Sequence, residues 1–354
     1  MKAKKFLKKY LFTIITLGIS MTVLLIFLFK DNSLSQLVGV FHSLDPRWMA
    51  AACATVAGGW LLEGLCDNML CRHLSPKWNY GKSFMVGMTG LLYSAVTPFS
   101  TGGQPMQVYY MSKMGMKPGN ACAVVSVKTI TYQIVMVAYA LILMIGELSF
   151  FQAAVSDLSF LTVFGLLANT IFIVVVILVS VNSSIIYKLL RGLLHLLHRL
   201  HLLKDAQARY QQITGQLDLF HEGFKTMGRN WKLYLRVCLV TVLQITMTNS
   251  TTYFIYRAFN LSEATFWVMM AAQVFATMIA AFVPLPGASG GAEGTFLAFC
   301  RIFFHGLLTP AMLVWRLMTY YANILFGCIF VSIGSKRYVD RTEPSAAAEQ
   351  PAAQ

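Results

Sequence analysis

The sequence predicts an all-α, polytopic helical membrane protein, built as an inverted-topology repeat with two re-entrant hairpins. The chain is 57% hydrophobic and only 12% charged, which is about half the charge of an ordinary soluble domain. Several apolar runs reach about 18 residues, the length that crosses a bilayer. These runs show no period of two, so a transmembrane β-barrel is excluded. Glycine and proline interrupt two further apolar stretches, and these interruptions predict the hairpins.

The charge and the cysteines point to a membrane setting and to no bound cofactor. The net charge is +14, and the basic residues lie between apolar runs, as in cytoplasmic loops that face anionic lipids. No basic and aromatic module of a nucleic-acid binder is present. The seven cysteines form no CxxC pair and are read as core residues. No nucleotide loop, nucleophile elbow or zinc motif occurs.

The first half of the chain follows from the positions of the basic residues. The N-terminus is rich in lysine and is therefore placed in the cytoplasm. Span one covers Leu11–Phe29 and span two covers about Trp48–Asn68. The interrupted stretch Ser83–Met111 has basic residues on both flanks, so it begins and ends on the same side, as a hairpin does. Span three covers about Ala121–Ile145.

The second half repeats this order from the opposite side. Span four covers Phe160–Val181 and leads into a basic, amphipathic cytoplasmic linker at about 185–231. Such a helix lies in the membrane interface. Span five, Leu233–Tyr256, precedes the second interrupted stretch, Phe266–Phe304. Span six, Ala311–Ile333, brings the chain back to the cytoplasm, so both termini lie there.

These elements predict one membrane domain over residues 1–335. Repeat one covers about 10–146 and repeat two about 160–333, and residues 343–354 form a disordered polar tail. Inverted repeats of this kind place their binding sites where the two halves meet. A topology in which each interrupted stretch makes two short crossings instead of a hairpin would leave the termini in the same places, so it stays open.

The first interruption, Thr97–Pro105, offers hydrogen-bonding groups and a broken helix. Helix N-termini present unpaired N–H groups that favour an anion such as a lipid phosphate. The alternative is that the polar side chains only satisfy their own backbone. The candidate binding residues here are Thr97, Thr101, Gly102, Gly103 and Gln104.

The second interruption contains Glu293, the most informative single residue. An ionisable group at membrane depth is costly and indicates function by default. Glu293 could bind a cationic head group, accept a proton, or hold Arg301 or Arg316 in place. The alternative is a structural ion pair that fixes the hairpin. The accompanying breaker residues are Pro286, Gly287, Gly290 and Gly291.

Three basic residues, Lys128, Arg301 and Arg316, lie within or beside apolar runs. Such groups bind phosphate, arginine above all through its planar fork. The alternative for Lys128 is that it reaches to the interface with its long side chain. The alternative for Arg316 is an ion pair with Glu293 or Glu63.

Glu63 and Asp67 are one helical turn apart on span two, so they share a face. Glu63 is the deeper of the two, whereas we expect Asp67 to be solvated near the cytoplasmic end. A set of histidines on the amphipathic linker has helical spacing but no acidic or cysteine partner nearby. It therefore indicates an interfacial polar face, and we predict no metal site: His195, His198 and His201.

These motifs resemble those of one known family. Thr97-Pro98-x-x-x-Gly102-Gly103-Gln104-Pro105, followed by Met114-Gly115, is similar to the first signature of the flippase-like membrane domain of lysylphosphatidylglycerol synthases. Phe99-Ser100-Thr101 stands where a basic residue often occurs. Pro284-x-Pro286-Gly287-x-x-Gly290-Gly291-x-Glu293 is similar to the second signature, and Arg316 resembles a recurrent basic position.

The resemblance implies a protein of the bacterial inner membrane that moves a phospholipid, such as phosphatidylglycerol or its aminoacylated form, or a lipid-linked head group between leaflets. Long family members, the multiple peptide resistance factors, add a cytoplasmic lysyltransferase domain that is absent here, so we expect no enzyme activity. We expect anionic phospholipids as partners, and homo-oligomerisation stays open. The alternatives are a non-transporting partner of a lipid-modifying enzyme and, by family naming, a phosphatidylglycerol lysyltransferase.

Overall fold

The computed structural model describes residues 42–147, 165–171, 174, 175, 178 and 206–339. All regular structure in these residues is helical, which confirms the all-α prediction. Predicted span one, most of span four, the first part of the linker with its histidines, and the tail lie outside the described residues.

Ten α-helices with assigned bounds carry the labels used below, and a further helical segment is described at 165–171. The ten labelled helices are α1 Pro46–Leu74, α2 Tyr80–Val96, α3 Gly103–Lys113, α4 Pro118–Gly146, α5 Ala206–Arg229, α6 Trp231–Ala258, α7 Phe266–Ala280, α8 Gly291–Phe304, α9 Leu308–Arg316 and α10 Ala322–Gly334. A π-helical turn, Leu317–Tyr321, joins α9 to α10.

Three helical runs in the described part are long and apolar enough to cross a membrane. They are α1, α4 and the interrupted run Pro286–Val339. The outer face of α4 is also apolar, since Ile142 is 70% exposed and Ile145 is 74% exposed. An apolar surface of this kind would be a liability in water but faces hydrocarbon in a bilayer. The prediction of a membrane protein is therefore confirmed.

Local sequence signals set where the helices begin. Asp45, Asn79, Asn230 and Thr265 each cap a helix by accepting a hydrogen bond from the backbone N–H two or three residues later. Such a cap satisfies one of the four unpaired donors at a helix start and contributes about 1 kcal/mol. Prolines occupy the first turn of α1 and α4, where their missing N–H costs nothing.

The helices are interrupted at both predicted places. The first break separates α2 from α3 and contains a 3-10 turn, Pro98–Ser100; the second separates α7 from α8 and contains the turn Pro286–Ala288. Each turn includes a residue in the left-handed region, with φ at 53° for Phe99 and 60° for Gly287. The two turns pack against each other. The breaks thus meet at one point in the structure.

The core of the molecule is a close pair formed by α1 and α6, flanked by α2 against α10 and by α7 against α8. Glycines allow this approach. A Cβ at Gly59 would lie 2.6 Å from the Thr248 Cγ2 methyl, and one at Gly58 would lie 3.5 Å from the Met247 sulfur. Small residues at such contacts let membrane helices gain van der Waals packing.

We predict that Gly287→Ala destabilises the protein by about 1–3 kcal/mol, because alanine is strained at this φ and its Cβ would overlap the Tyr320 ring. Thermal unfolding of the purified chain in detergent measures the change. Gly215→Ala is the matched control, since Gly215 lies on helix α5 and its Cβ would meet nothing within 4 Å. Equal melting temperatures for the two variants would contradict the prediction.

Candidate functional site

A cavity of about 610 Å³ lies between the helices and is lined by both breaks. Phe99 and Ser100 come from the first break, and Gly287 and Ala288 from the second. Every described helix except α5 contributes to the walls. Its size falls within the range of small-molecule sites. The lining is rich in amide side chains: Gln104, Gln107, Gln133, Asn169, Gln244, Asn249, Gln273 and Asn323.

The first ionic cluster of the site joins α8 to α9. Arg316 donates from Nε to Glu293 Oε1 at 2.8 Å and from Nη2 to Glu293 Oε2 at 2.7 Å. Both side chains are almost fully buried, with exposed fractions of 4% and 1%. Of the two, Arg316 lines the cavity. The pair is bidentate, the strongest geometry available to arginine and a carboxylate.

The same pair closes the second break. Glu293 Oε2 also accepts a hydrogen bond from the Gly290 N–H at 2.7 Å, so it satisfies a donor at the start of α8. Arg316 Nη1 lies 3.4 Å from the carbonyl oxygen of Gly287, which it approaches as a donor. The structural ion pair weighed for Glu293 is therefore present. Because Arg316 reaches the cavity, this pair is both a brace and part of the wall.

Aromatic rings connect Arg316 to the first break. Its guanidinium lies 5.2 Å from the centroid of the Trp315 ring and 5.1 Å from that of Tyr320, within cation–π range. The Tyr320 hydroxyl donates to the carbonyl oxygen of Ala95 at 3.2 Å, at the end of α2. One continuous set of contacts therefore links the cation to both breaks.

The second ionic cluster lies between α1 and α4. Lys128 Nζ is 2.7 Å from Glu63 Oε1 and 2.8 Å from Asp67 Oδ1. Gln244 Nε2 donates to Glu63 Oε2 at 2.7 Å. Lys128 therefore binds two carboxylates rather than reaching to the interface, and its side chain is only 12% exposed. Glu63 and Lys128 line the cavity.

The expectation that Asp67 is solvated was wrong, because its side chain is 0% exposed. Asp67 and Glu63 do share a face of α1, but that face packs against α2 as well as α4. At Gly87 of α2, a Cβ would lie 2.9 Å from Glu63 Cγ and 3.6 Å from Asp67 Oδ2. The sequence could not reveal this burial, since it results from the position of a neighbouring helix.

The remaining predicted residues differ in their relation to the cavity. Gln104 and Gly103 line the cavity with Gly287, whereas Arg301 is exposed and outside the lining. Several others hold the breaks together. Thr97 donates to the Tyr93 carbonyl and accepts from the Gly102 N–H, while Thr101 donates to the Pro98 carbonyl. Further members of the predicted set lie beside the cavity, outside its lining: Pro286, Gly290 and Gly291.

Sequence reasoning missed the buried amides of α6 and α7. Gln244, Asn249 and Gln273 are each less than a tenth exposed within apolar helices. Burying an amide in an apolar environment is costly unless it is paired. Amide residues in the middle of membrane spans were therefore a signal that could have located the cavity. No cluster of three metal-binding side chains occurs among the described residues.

We predict that Arg316→Gln destabilises the protein by about 3 kcal/mol, because Glu293 is left as an unpaired buried charge. Thermal or denaturant unfolding in detergent measures this change. Arg301→Gln is the matched control, because an exposed arginine contributes within about 0.5 kcal/mol. The double variant of Arg316 and Glu293 should lose less than the sum of the single losses, since the two side chains are directly coupled. Additive losses would contradict the prediction.

Comparison with known proteins agrees with the motifs. The family described as lysylphosphatidylglycerol synthase TM region matches residues 13–327. That match spans both helix breaks and both ionic clusters. A UPF0104 membrane protein from Archaeoglobus fulgidus is 28% identical over 280 residues, which cover 77% of this chain and 82% of the relative. The resemblance seen in the motifs is thereby confirmed, and the chain belongs to the lysylphosphatidylglycerol synthase transmembrane region family.

Proposed function

We propose that the protein moves the head group of a phospholipid, such as phosphatidylglycerol or its aminoacylated form, or a lipid-linked head group, between the two leaflets. The observation that supports this most is the cavity of about 610 Å³, which is lined by amides and by both helix breaks. A polar head group finds no partners in hydrocarbon. A cavity with hydrogen-bonding walls between apolar helices lowers that barrier, and the acyl chains can stay in lipid.

The proposal includes an inverted-topology repeat in which the two breaks are the tips of re-entrant hairpins. Local geometry supports it, because each break has a proline, a left-handed residue and a helix that starts on glycine, in the same register: Pro98, Phe99 and Gly103; Pro286, Gly287 and Gly291. Lys128 and Arg316 then follow these glycines at equal distances along the chain. The two buried cations thus hold corresponding positions in the two halves.

Anionic phospholipids are the proposed cargo because their phosphate can replace a carboxylate at either cation. Glu293 neutralises Arg316, and Glu63 neutralises Lys128. Pairing lowers the cost of keeping these charges at membrane depth. A phosphate that enters the cavity would offer Arg316 an equivalent pair of oxygens. The surrounding amides would supply the remaining hydrogen bonds of the head group.

The proposed setting is the cytoplasmic membrane of a bacterium, with several spans and both termini in the cytoplasm. The distribution of basic residues between the apolar runs supports this orientation. The proposed activity moves a lipid without making or breaking a covalent bond. It needs no nucleic-acid partner, and the lipid itself is the ligand.

We predict that Glu293→Gln abolishes lipid translocation, because an amide cannot exchange a negative charge with an incoming phosphate. The measurement is the movement of fluorescent phosphatidylglycerol between leaflets of proteoliposomes, normalised to the folded, monodisperse protein. Glu263→Gln is the matched control, since the Glu263 side chain is 89% exposed. Wild-type rates in Glu293→Gln would refute the role of this residue. Absence of lipid movement in the wild type would favour the alternative that the protein is a non-transporting partner of a lipid-modifying enzyme.

We also predict that anionic phospholipid co-purifies with the protein and that Arg316→Lys lowers the amount. Lysine keeps the charge but loses the fork that matches two phosphate oxygens. Native mass spectrometry of the protein in mild detergent identifies and counts the bound lipids. Arg301→Lys, which changes an exposed arginine, should leave the count unchanged. Equal numbers of bound lipids in the two variants would show that Arg316 does not bind the lipid.

A further inference from the structure

The cluster of Glu63, Asp67 and Lys128 contains two carboxylates and one ammonium group. If all three were ionised, the cluster would carry one uncompensated negative charge. The two acids lie on neighbouring turns of α1, and Lys128 contacts both of them, at 2.7 Å and 2.8 Å. Two carboxylates that share one cation repel each other, and this repulsion favours a proton on one of them.

Asp67 has fewer polar partners than Glu63. Its side chain is 0% exposed, Lys128 Nζ lies 2.8 Å from Oδ1, and Oδ2 has no hydrogen-bond partner among the residues that the structure describes. Glu63, by contrast, has a donor at each oxygen, Lys128 at Oε1 and Gln244 at Oε2. Oδ2 lies on the side of Gly87 of α2. An ionised carboxylate with one oxygen unpartnered is costly in such a place, and a neutral acid costs less.

The groups around Asp67 offer no further charge of either sign in the described part of the chain. Lys128 of α4 and Glu63 of its own helix are the charged groups that act on it. The thiols of Cys66 and Cys71 are also on α1 and are buried. Helix α2 presents Gly87, and α6 contributes the neutral Gln244, which is bound to Glu63. A proton is therefore the natural balance for the extra carboxylate.

The cluster also has a route to the cavity. Glu63 and Lys128 line the cavity wall, with side-chain exposures of 15% and 12%, while Asp67 lies behind them. Water in the cavity can thus reach Glu63 and Lys128, and Lys128 contacts Asp67 directly. Any movement of Lys128 toward a phosphate in the cavity would alter the charge that Asp67 experiences.

We propose that Asp67 is an exchangeable proton site that couples lipid translocation to a proton gradient. In the form that carries the proton, Asp67 is a neutral acid beside ionised Glu63 and Lys128, so the cluster has no net charge. In the form without the proton, the O–H bond of Asp67 is broken and its electron pair stays on the carboxylate. The proton passes through the Glu63 carboxylate to water in the cavity. The coupling rests on the proposed function, whereas the proton site does not.

The proton site is tested by infrared spectroscopy of the purified chain at neutral pH, in a detergent that has no ester carbonyl. A neutral carboxylic acid has a C=O stretch that carboxylates lack, and we expect this band in the wild type. Asp67→Asn should remove the band, and Asp67→Glu, which keeps the acid, should retain one. Glu263→Gln, at an exposed acid, should leave the band unchanged. A wild type without the band, or a band that persists in Asp67→Asn, overturns the proton site.

The coupling is tested in proteoliposomes that contain fluorescent phosphatidylglycerol and a pH-sensitive dye. A gradient of one pH unit is a proton ratio of about tenfold, and we expect it to accelerate translocation in the wild type. Asp67→Asn should move lipid at a rate that does not respond to the gradient. Translocation in the wild type that ignores the gradient refutes the coupling and leaves the proposed function intact. No translocation in the wild type refutes the proposed function, and the coupling with it, while the infrared result still decides the proton site.

Discussion

A helix that breaks inside hydrocarbon must find partners for its freed N–H and C=O groups, and this constraint organises the whole structure. The chain meets it by placing its two breaks against each other. Glu293 satisfies the start of α8, Arg316 approaches the Gly287 carbonyl, and the Tyr320 hydroxyl reaches the end of α2. The polar space that results is the cavity. The same part of the structure therefore satisfies the broken backbone and forms the proposed ligand site.

The buried charges are subject to the same requirement for partners. Arg316 with Glu293 is a balanced pair, held in bidentate geometry with aromatic rings beside it. Lys128 with Glu63 and Asp67 is an unbalanced cluster with one acid in excess. A membrane protein tolerates such groups only at a substantial cost, which is why they mark function more often than packing. The difference between the clusters suggests a division of tasks, with lipid phosphate at Arg316 and a proton at Asp67.

Much of this architecture was accessible from the residue pattern, and the reasons are local. Proline and glycine cannot continue a helix in a regular way, so both breaks were visible in the chain. The predicted spans two, three and six match α1, α4 and the run from α9 to α10 because each rests on a long apolar segment. Predicted span five coincides with the helix α6, which is not among the runs apolar enough to cross a membrane. Glu293 and Arg316 stood out since charged residues are rare in such segments. The buried amides were overlooked, although the same argument from cost applied to them.

The sequence by itself determined the class of protein, the family motifs, the helix breaks and the short list of charged residues within apolar segments. These properties depend on composition and on neighbours along the chain. Only the tertiary structure decided which charges meet, because Lys128 reaches Glu63 across 65 positions and Arg316 reaches Glu293 across 23. It also decided that Asp67 is buried and that Arg301 is exposed. Both outcomes depend on how one helix packs against another, and no pattern within a single helix carries that information.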